Sequence, residues 1–315
     1  MAELVFFGRE GVFSRVLLAA LVRAELAPAL VMLGRASTHR QGVGVRRLKA
    51  TPSTFDRIIG RRAGPNGPLS ELALELDIEV LELDDPGSIR ARAEIHKAEP
   101  DAFIVAGFHR LLPKTTLSLA RLGGLNVHPG SLPNERGPSP LFWALKAGMM
   151  RHDYTIHVLD EGEDTGDIVA TGSFDSAIGM TMTDIYQRCA ESAAHQLIRT
   201  TRGLLAGDLV RTPQPRRGQR KPRPDFTDCR NDSELPAESV FHFVTACAAQ
   251  YSVWAECAGD RFFIERAVSY DPRAGLDYDF VLAGDRLILR CRPGTVELSL
   301  KPEGVIFSAE YAPQG

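Results

Sequence analysis

Cysteine is scarce in this chain of 315 residues: five in all, at positions 189, 229, 247, 257 and 291. The number is odd and no two form a Cys-x-x-Cys pair, which excludes a disulfide framework and a structural zinc site and fits a reducing compartment, the cytoplasm. Long apolar runs are lacking as well. The longest near the start, Val16 to Val22, is too short to span a bilayer. It follows Glu3, Glu10 and two arginines, so it does not read as a secretory leader, and no membrane partner is expected. Charge of one sign is absent in the sum: 37 basic and 40 acidic side chains leave a net −3, with no global attraction to nucleic acid or anionic lipid. No repeat or low-complexity tract appears. What remains is an ordinary globular composition, 44% hydrophobic, long enough for two domains.

The first half alternates short β-branched or aromatic runs with helical patterns. Strands are expected at Leu4–Phe7, Ala29–Leu33, Glu79–Leu83, Ala102–Ala106 and Leu125–His128, with helices at Val12–Ala24, Leu69–Leu76 and Ile89–Ala98. Two further strands, Tyr154–Leu159 and Ile168–Ser173, follow. Such alternation predicts an α/β fold, a Rossmann-like parallel sheet covered by helices. The glycines of Gly8-Arg9-Glu10-Gly11 lack the three-glycine dinucleotide fingerprint, so no NAD site is read there.

Two segments break the rhythm. Gly34–Gly67 is long for a connection inside a domain and carries Arg35, Arg40, Arg46, Arg47, Lys49, Arg57, Arg61 and Arg62 against one acid, Asp56. Arg211–Pro224 holds five arginines, one lysine, four prolines and no acid, and reads as an extended interdomain linker. Beyond it a helix at Ala237–Ala248 precedes short strands at Ser252–Cys257, Phe262–Ser269, Arg286–Arg292, Thr295–Leu300 and Val305–Ser308, separated by turn residues that include Pro302-Glu303-Gly304. A small C-terminal β-barrel is the natural reading. The expected domains are therefore 1–207, a linker at 208–224, and 225–315.

The chemistry concentrates after Gly124, in Gly-Leu-Asn-Val-His-Pro-Gly-Ser-Leu-Pro-Asn-Glu-Arg-Gly-Pro-Ser-Pro. Asn126 and His128 are two apart, so a strand puts both side chains on one face. They lie at the carboxyl end of that strand, where open α/β sheets build their sites. An amide donor beside an imidazole suits a developing oxyanion and a proton transfer near neutral pH; a histidine that merely ends a strand is the plainer alternative. Further on, Asp160-Glu-Gly-Glu-Asp-Thr-Gly-Asp167 is an acidic loop whose glycines let the backbone approach a ligand. It lacks the ligand spacing of a calcium-binding hand, and His152 and His157 lack that of a zinc peptidase, so no metal is expected.

Asn126-Val-His128, Ser131-Leu-Pro133, Arg136-Gly137 with Pro140, and Asp164-Thr-Gly-Asp167 together resemble the folate-dependent formyltransferases, a superfamily with methionyl-tRNA, purine and amino-sugar branches. The resemblance covers residues 3–207 and extends more weakly to the linker and an OB-like tail. It implies transfer of a formyl group from 10-formyltetrahydrofolate to a primary amine. Asn126 would donate to the formyl oxygen, His128 would assist that charge and shuttle protons, and Asp164 would orient the histidine or an ordered water. Phe108, Leu111, Leu112 and Pro113, the loop Gly130, Ser131, Leu132 and Pro133, and Asp160, Glu161, Gly162 and Glu163 would line the folate pocket. His157 matches a histidine of the purine branch and stays open between a structural and a supporting role. Gly130 intervenes where the family has serine directly after the histidine dipeptide.

Charge distribution bears on the acceptor. Residues 225–315 hold 15 acids and 8 Lys/Arg, a net −7, while residues 1–224 hold 29 basic and 25 acidic side chains, a net +4. The two basic segments favour charged initiator tRNA. The acidic tail opposes it, because phosphate neutralisation drives most nucleic-acid affinity. A small amine metabolite, such as an amino sugar or amino acid derivative, is narrowly preferred over methionyl-tRNA. Hydrolysis of formyltetrahydrofolate and a non-catalytic RNA-binding relative are the remaining alternatives.

Overall fold

A computed structural model of the chain describes residues 2–35, 44–49, 67–215 and 218–306. Two compact units emerge. The first comprises 1–138, 153–174 and 186–220; the second comprises 139–152, 175–185 and 221–315.

In the first unit, β1 (Leu4–Gly8) is buried along its whole length because Leu-Val-Phe-Phe offers no polar side chain to water. It pairs in parallel with β2 (Leu30–Gly34) on one side and β5 (Ala102–Ala106) on the other. Outside β2 lies β4 (Glu79–Leu83), again parallel, and outside β5 lies β6 (Gly124–His128). Two flanking strands are antiparallel: β3 (Val45–Arg47) against β4, and β7 (Arg151–Val158) against β6. With β8 (Ile168–Asp175) the order is β3-β4-β2-β1-β5-β6-β7-β8. The expected parallel sheet is thus mixed at both margins.

Helices α1 (Val12–Arg23), α2 (Leu69–Glu75), α3 (Ile89–Lys97) and α4 (Lys114–Leu117) fall between the early strands. In α3 the Ser88 hydroxyl caps the first turn, accepting from the Ala91 amide at 3.2 Å. A core of Val5, Phe7, Met32, Leu81, Leu83, Phe103 and Val105 covers one sheet face. There the Phe7 and Phe103 rings meet edge to face at 5.1 Å, the geometry their quadrupoles favour. The chain winds outward from β1 to β4, then returns to β5. The strand order therefore reverses between β1 and β5, and the carboxyl ends beside that point form the crevice where such sheets bind ligands.

Of the basic Gly34–Gly67 segment, Arg40, Arg57, Arg61 and Arg62 lie outside the described residues. The described part forms β3, whose arginines meet carboxylates: Arg46 with Glu82 at 2.8 Å and Arg47 with Glu79 at 2.6 Å. Arg35 also pairs with Glu82, at 2.9 Å.

The second unit holds α5 (Pro140–Lys146), α7 (Ala237–Cys247) and a five-stranded antiparallel sheet. The long α6 (Met182–Ala206) enters both units. The five strands are β9 (Trp254–Cys257), β10 (Asp260–Asp271), β11 (Phe280–Ala283), β12 (Arg286–Arg290) and β13 (Thr295–Ile306), in the order β11-β12-β13-β10-β9. Two expected strands, Thr295–Leu300 and Val305–Ser308, are one strand in the fold. Their separator does not turn the chain; the register against β10 jumps there, from Leu300 opposite Ile264 to Val305 opposite Phe262, and the extra residues are absorbed as a bulge. Ser308 itself lies outside the described residues. Strand β11 had no signal of its own, since Phe280-Val-Leu-Ala283 is too short to show alternation.

Candidate active site

Asn126 and His128 stand on one face of β6, as their spacing predicts. Register with β7 adds what the spacing cannot give: Asn126 lies opposite His157, and His128 opposite Thr155. The acidic loop between β7 and β8 then carries Asp164 over these side chains. Asp164 has φ 56°, a left-handed conformation that a non-glycine residue adopts at a cost and that concentrates at functional positions.

The carboxylate of Asp164 is nearly enclosed and has three kinds of partner. Its Oδ2 accepts from the Gly137 amide at 2.9 Å and lies 3.5 Å from His128 Nδ1. Its Oδ1 accepts from Asn126 Nδ2 at 3.3 Å and lies 3.5 Å from His157 Nε2. Burial alone would raise its pKa, but the histidines and the Gly137 amide outweigh that and hold it at about 2. Asp164 is therefore an anion throughout the physiological range.

Hydrogen bonding assigns the protons on both imidazoles. His128 Nε2 lies 2.7 Å from the Glu135 carbonyl, which can only accept, so that nitrogen carries the proton. Nδ1 is then the bare nitrogen of the neutral ring, and it faces Asp164. Burial pushes the His128 pKa below the usual histidine value, with the Asp164 charge opposing. The result is a neutral base that gains an adjacent anion the moment it is protonated. On His157, Nδ1 donates to the Val158 carbonyl at 2.9 Å, and Nε2 lies 3.0 Å from Asn126 Nδ2 and 3.5 Å from Asp164 Oδ1. This sets the Asn126 amide with its nitrogen toward His157 and Asp164. An oriented amide donor, a neutral base and a fixed anion together can stabilise charge on an oxygen and accept a proton from nitrogen.

The loops expected to line a ligand are also brought near one another. Lys114, which follows Pro113, pairs with Glu161 at 3.1 Å. Leu111 is exposed, whereas Leu112 is buried in the sheet core and Phe108 packs edge-on against Phe7 at 5.4 Å. The Gly130–Pro133 loop is fixed by Thr155, whose hydroxyl donates to the Gly130 carbonyl at 2.8 Å and accepts from the Leu132 amide. Glu135 fixes its other side, accepting from the Ser131 amide at 2.7 Å. Asp160 turns inward on its own loop, accepting from Thr165 Oγ1 at 2.8 Å. Among the described residues no group of three or more His, Cys, Asp or Glu could hold a metal ion.

Sequence reading missed Thr155, Glu135 and Gln214. Thr155 had a signal, since it shares the alternation of His157 along β7. Glu135 acts partly through its backbone, and Gln214 lies some fifty residues from the loop that it touches, so neither left a local pattern.

The chain is similar to known proteins in both sequence and fold. A family model described as formyl transferase matches residues 83–201. The methionyl-tRNA formyltransferase of Aromatoleum aromaticum is 35% identical over 168 residues, 52% of this chain and 52% of that protein, so the match spans about half of that relative. The methionyl-tRNA formyltransferase of Chlorobium limicola is 27% identical over 245 residues, 75% of this chain and 77% of its own length. Among solved structures, an N-formyltransferase from Helicobacter canadensis in complex with folinic acid and dTDP-3-aminofucose is similar in fold. Its TM-score is 0.62, with 96% of this chain and 100% of that chain covered at 12% identity.

Proposed function

We propose that the chain is a folate-dependent formyltransferase that transfers a formyl group from 10-formyltetrahydrofolate to the primary amine of a small metabolite. One observation carries the mechanism: the bare Nδ1 of a neutral His128 sits 3.5 Å from an Asp164 carboxylate that also touches Asn126. The folate co-substrate would supply the formyl group, and the Helicobacter canadensis relative with folinic acid supports a folate at this fold. Asn126 would turn an amide N–H toward the formyl oxygen as it gains charge. Its bond to Asp164 is the one to exchange, being long at 3.3 Å. His128 would take the proton from the attacking nitrogen at Nδ1, and Asp164 would hold the imidazolium so formed. The same ring would return that proton to the departing folate nitrogen.

The small acceptor is favoured by charge. Arg35, Arg46 and Arg47 already face Glu82 and Glu79, and the C-terminal residues are net acidic, which leaves little net charge for phosphates. The five-stranded antiparallel sheet is read as the curled, OB-like module of the resemblance. Methionyl-tRNA is the second reading, supported by the names of the two relatives above and by the basic segment 211–224. Our reading keeps the protein in the cytoplasm, in keeping with five cysteines that are all free thiols. The experiment is formylation by purified protein with 10-formyltetrahydrofolate, offered either a panel of nucleotide-linked amino sugars and amino acids or charged initiator tRNA. A formylated small amine without formyl-methionyl-tRNA supports the first reading, and the reverse result replaces it. Formate release without any acceptor product makes the protein a hydrolase.

A further inference from the structure

The proline-rich segment after α6 does more than connect. Thr212 pairs with Ile168 at the start of β8, its amide and carbonyl both bonded at 2.8 Å. Two residues on, the Gln214 side chain donates to the carbonyls of Asp164 at 3.1 Å and Gly166 at 2.6 Å. Its own carbonyl oxygen accepts from Arg136 Nη2 at 2.9 Å. Arg136 is buried on the other site loop, next to the Gly137 whose amide holds Asp164. It donates again to the Pro215 carbonyl, and its backbone amide donates to the Gln219 carbonyl. Arg220 closes the series with an ion pair to Glu163. Gly218 lies against Pro133, where a Cβ would meet the Pro133 carbonyl oxygen at 2.3 Å.

Residues 212–215 and 218–220 are therefore a strap stitched to both loops of the site. We infer that Gln214 is a positioning residue, its side-chain amide fixing the Asp164–Gly166 backbone so that the Asp164 carboxylate stays beside His128 and Gly137. The physical reason lies in the backbone of Asp164. A left-handed residue in an exposed acidic loop has other conformations open to it. An amide that bonds the carbonyls on both sides of Thr165 selects one. Gln214 is suited to this because it has two donors and an acceptor on one rigid plane, and the acceptor is tied to Arg136. Gln214 thereby couples the loop bearing Asp164 to the loop bearing Gly137, two groups that must meet for the carboxylate to point at the imidazole.

As regards catalysis, this rests on the proposed formyl transfer, but its structural consequences do not. Three variants test it: Gln214→Met, which keeps the volume and loses the amide; Gln214→Glu, which keeps an acceptor for Arg136 and loses both donors; and Arg136→Lys, which removes the fork that orients Gln214. The expected result is a drop in kcat of about 100-fold, the scale of a misplacement near 1 Å, with a much smaller change in the Kd for 5-formyltetrahydrofolate. Two measurements need no turnover. The His128 imidazole, followed by NMR titration, should move further down in pKa, because the anion that opposes its desolvation is displaced. The Gly137 amide, freed from Asp164 Oδ2, should exchange faster with solvent. Variants that fold yet leave the His128 titration and Gly137 exchange unchanged would overturn the inference, even if thermal stability falls. Should the wild type transfer no formyl group, the proposed function fails while these two measurements still decide the role of Gln214.

Discussion

His128 Nδ1 and Asp164 Oδ2 lie 3.5 Å apart, and the proton that would make them an ordinary ion pair is absent from that nitrogen. It sits on Nε2, bonded to the Glu135 carbonyl. A fixed anion next to the unprotonated lone pair of a buried neutral imidazole favours uptake of a proton, which under the proposed mechanism an attacking amine would bring.

The proposed mechanism makes a pH prediction of definite sign. Asp164 stays ionised down to about pH 2, so it does not shape the profile near neutrality. His128 must be neutral to act, and its pKa is lowered by burial. The acid limb of kcat/KM is therefore expected below pH 6.5, the usual histidine value. His128→Ala or Asp164→Asn should each lower kcat by about 10²–10⁴-fold while circular dichroism and melting remain near wild type. An active His128→Ala protein would remove the base from the mechanism.

Gly166 is held by close approach. A Cβ there would stand 1.9 Å from the backbone oxygen of Val158, and neither strand end can retreat while Val158 is bonded to Asp167. Gly166→Ala should destabilise the protein by about 1–3 kcal/mol in urea unfolding, the usual range for forcing atoms into a packed place. It should reduce turnover beyond what the stability loss explains, because Asp164 is two residues away. Unchanged turnover would show that the loop accommodates the methyl group elsewhere.

In the second unit, Ser176 Oγ lies between two buried histidines, 3.0 Å from His152 Nε2 and 3.1 Å from His242 Nε2. Burial, with His152 adding to it, lowers the His242 pKa to about 4. The unfolded chain takes up this proton near pH 6.5 and the folded chain does not, so the contribution to stability is whole above 6.5. It is lost progressively as pH falls toward 4. Lowering the pH from 7 to 5 is expected to cost at most about 2 kcal/mol through this group. Comparing urea midpoints at the two pH values for wild type and His242→Gln checks it, the variant losing less on acidification. An equal loss in both would assign the acid sensitivity elsewhere.

How much of this could be read from the chain follows the range of each interaction. The apolar, β-branched and aromatic runs of Leu4–Gly8 and Ala102–Ala106 are a local property, and these buried strands appeared within a residue or so of their places. Asn126 and His128 were legible for the same reason: two residues on one strand share a face whatever surrounds them. Asp164 was legible only as part of a motif. The antiparallel turn of β7, which sets His157 against Asn126, was not legible, since register depends on a partner thirty residues away. The bulge in β13 was hidden because Pro302-Glu303-Gly304 has turn composition, and only pairing with β10 decides that the strand continues.

The sequence by itself determined an α/β unit, the placing of Asn126 and His128 side by side on β6, and the uneven charge between the halves. Those are consequences of side-chain type and of periods of two and 3.6 residues. Tertiary structure decided the rest: which imidazole nitrogen holds a proton, that the Asp164 carboxylate is ionised, and that a segment with the composition of a linker straps the site. Each of these depends on a backbone carbonyl, an amide or a charge supplied by a remote part of the chain, and no local pattern encodes where such a group will stand.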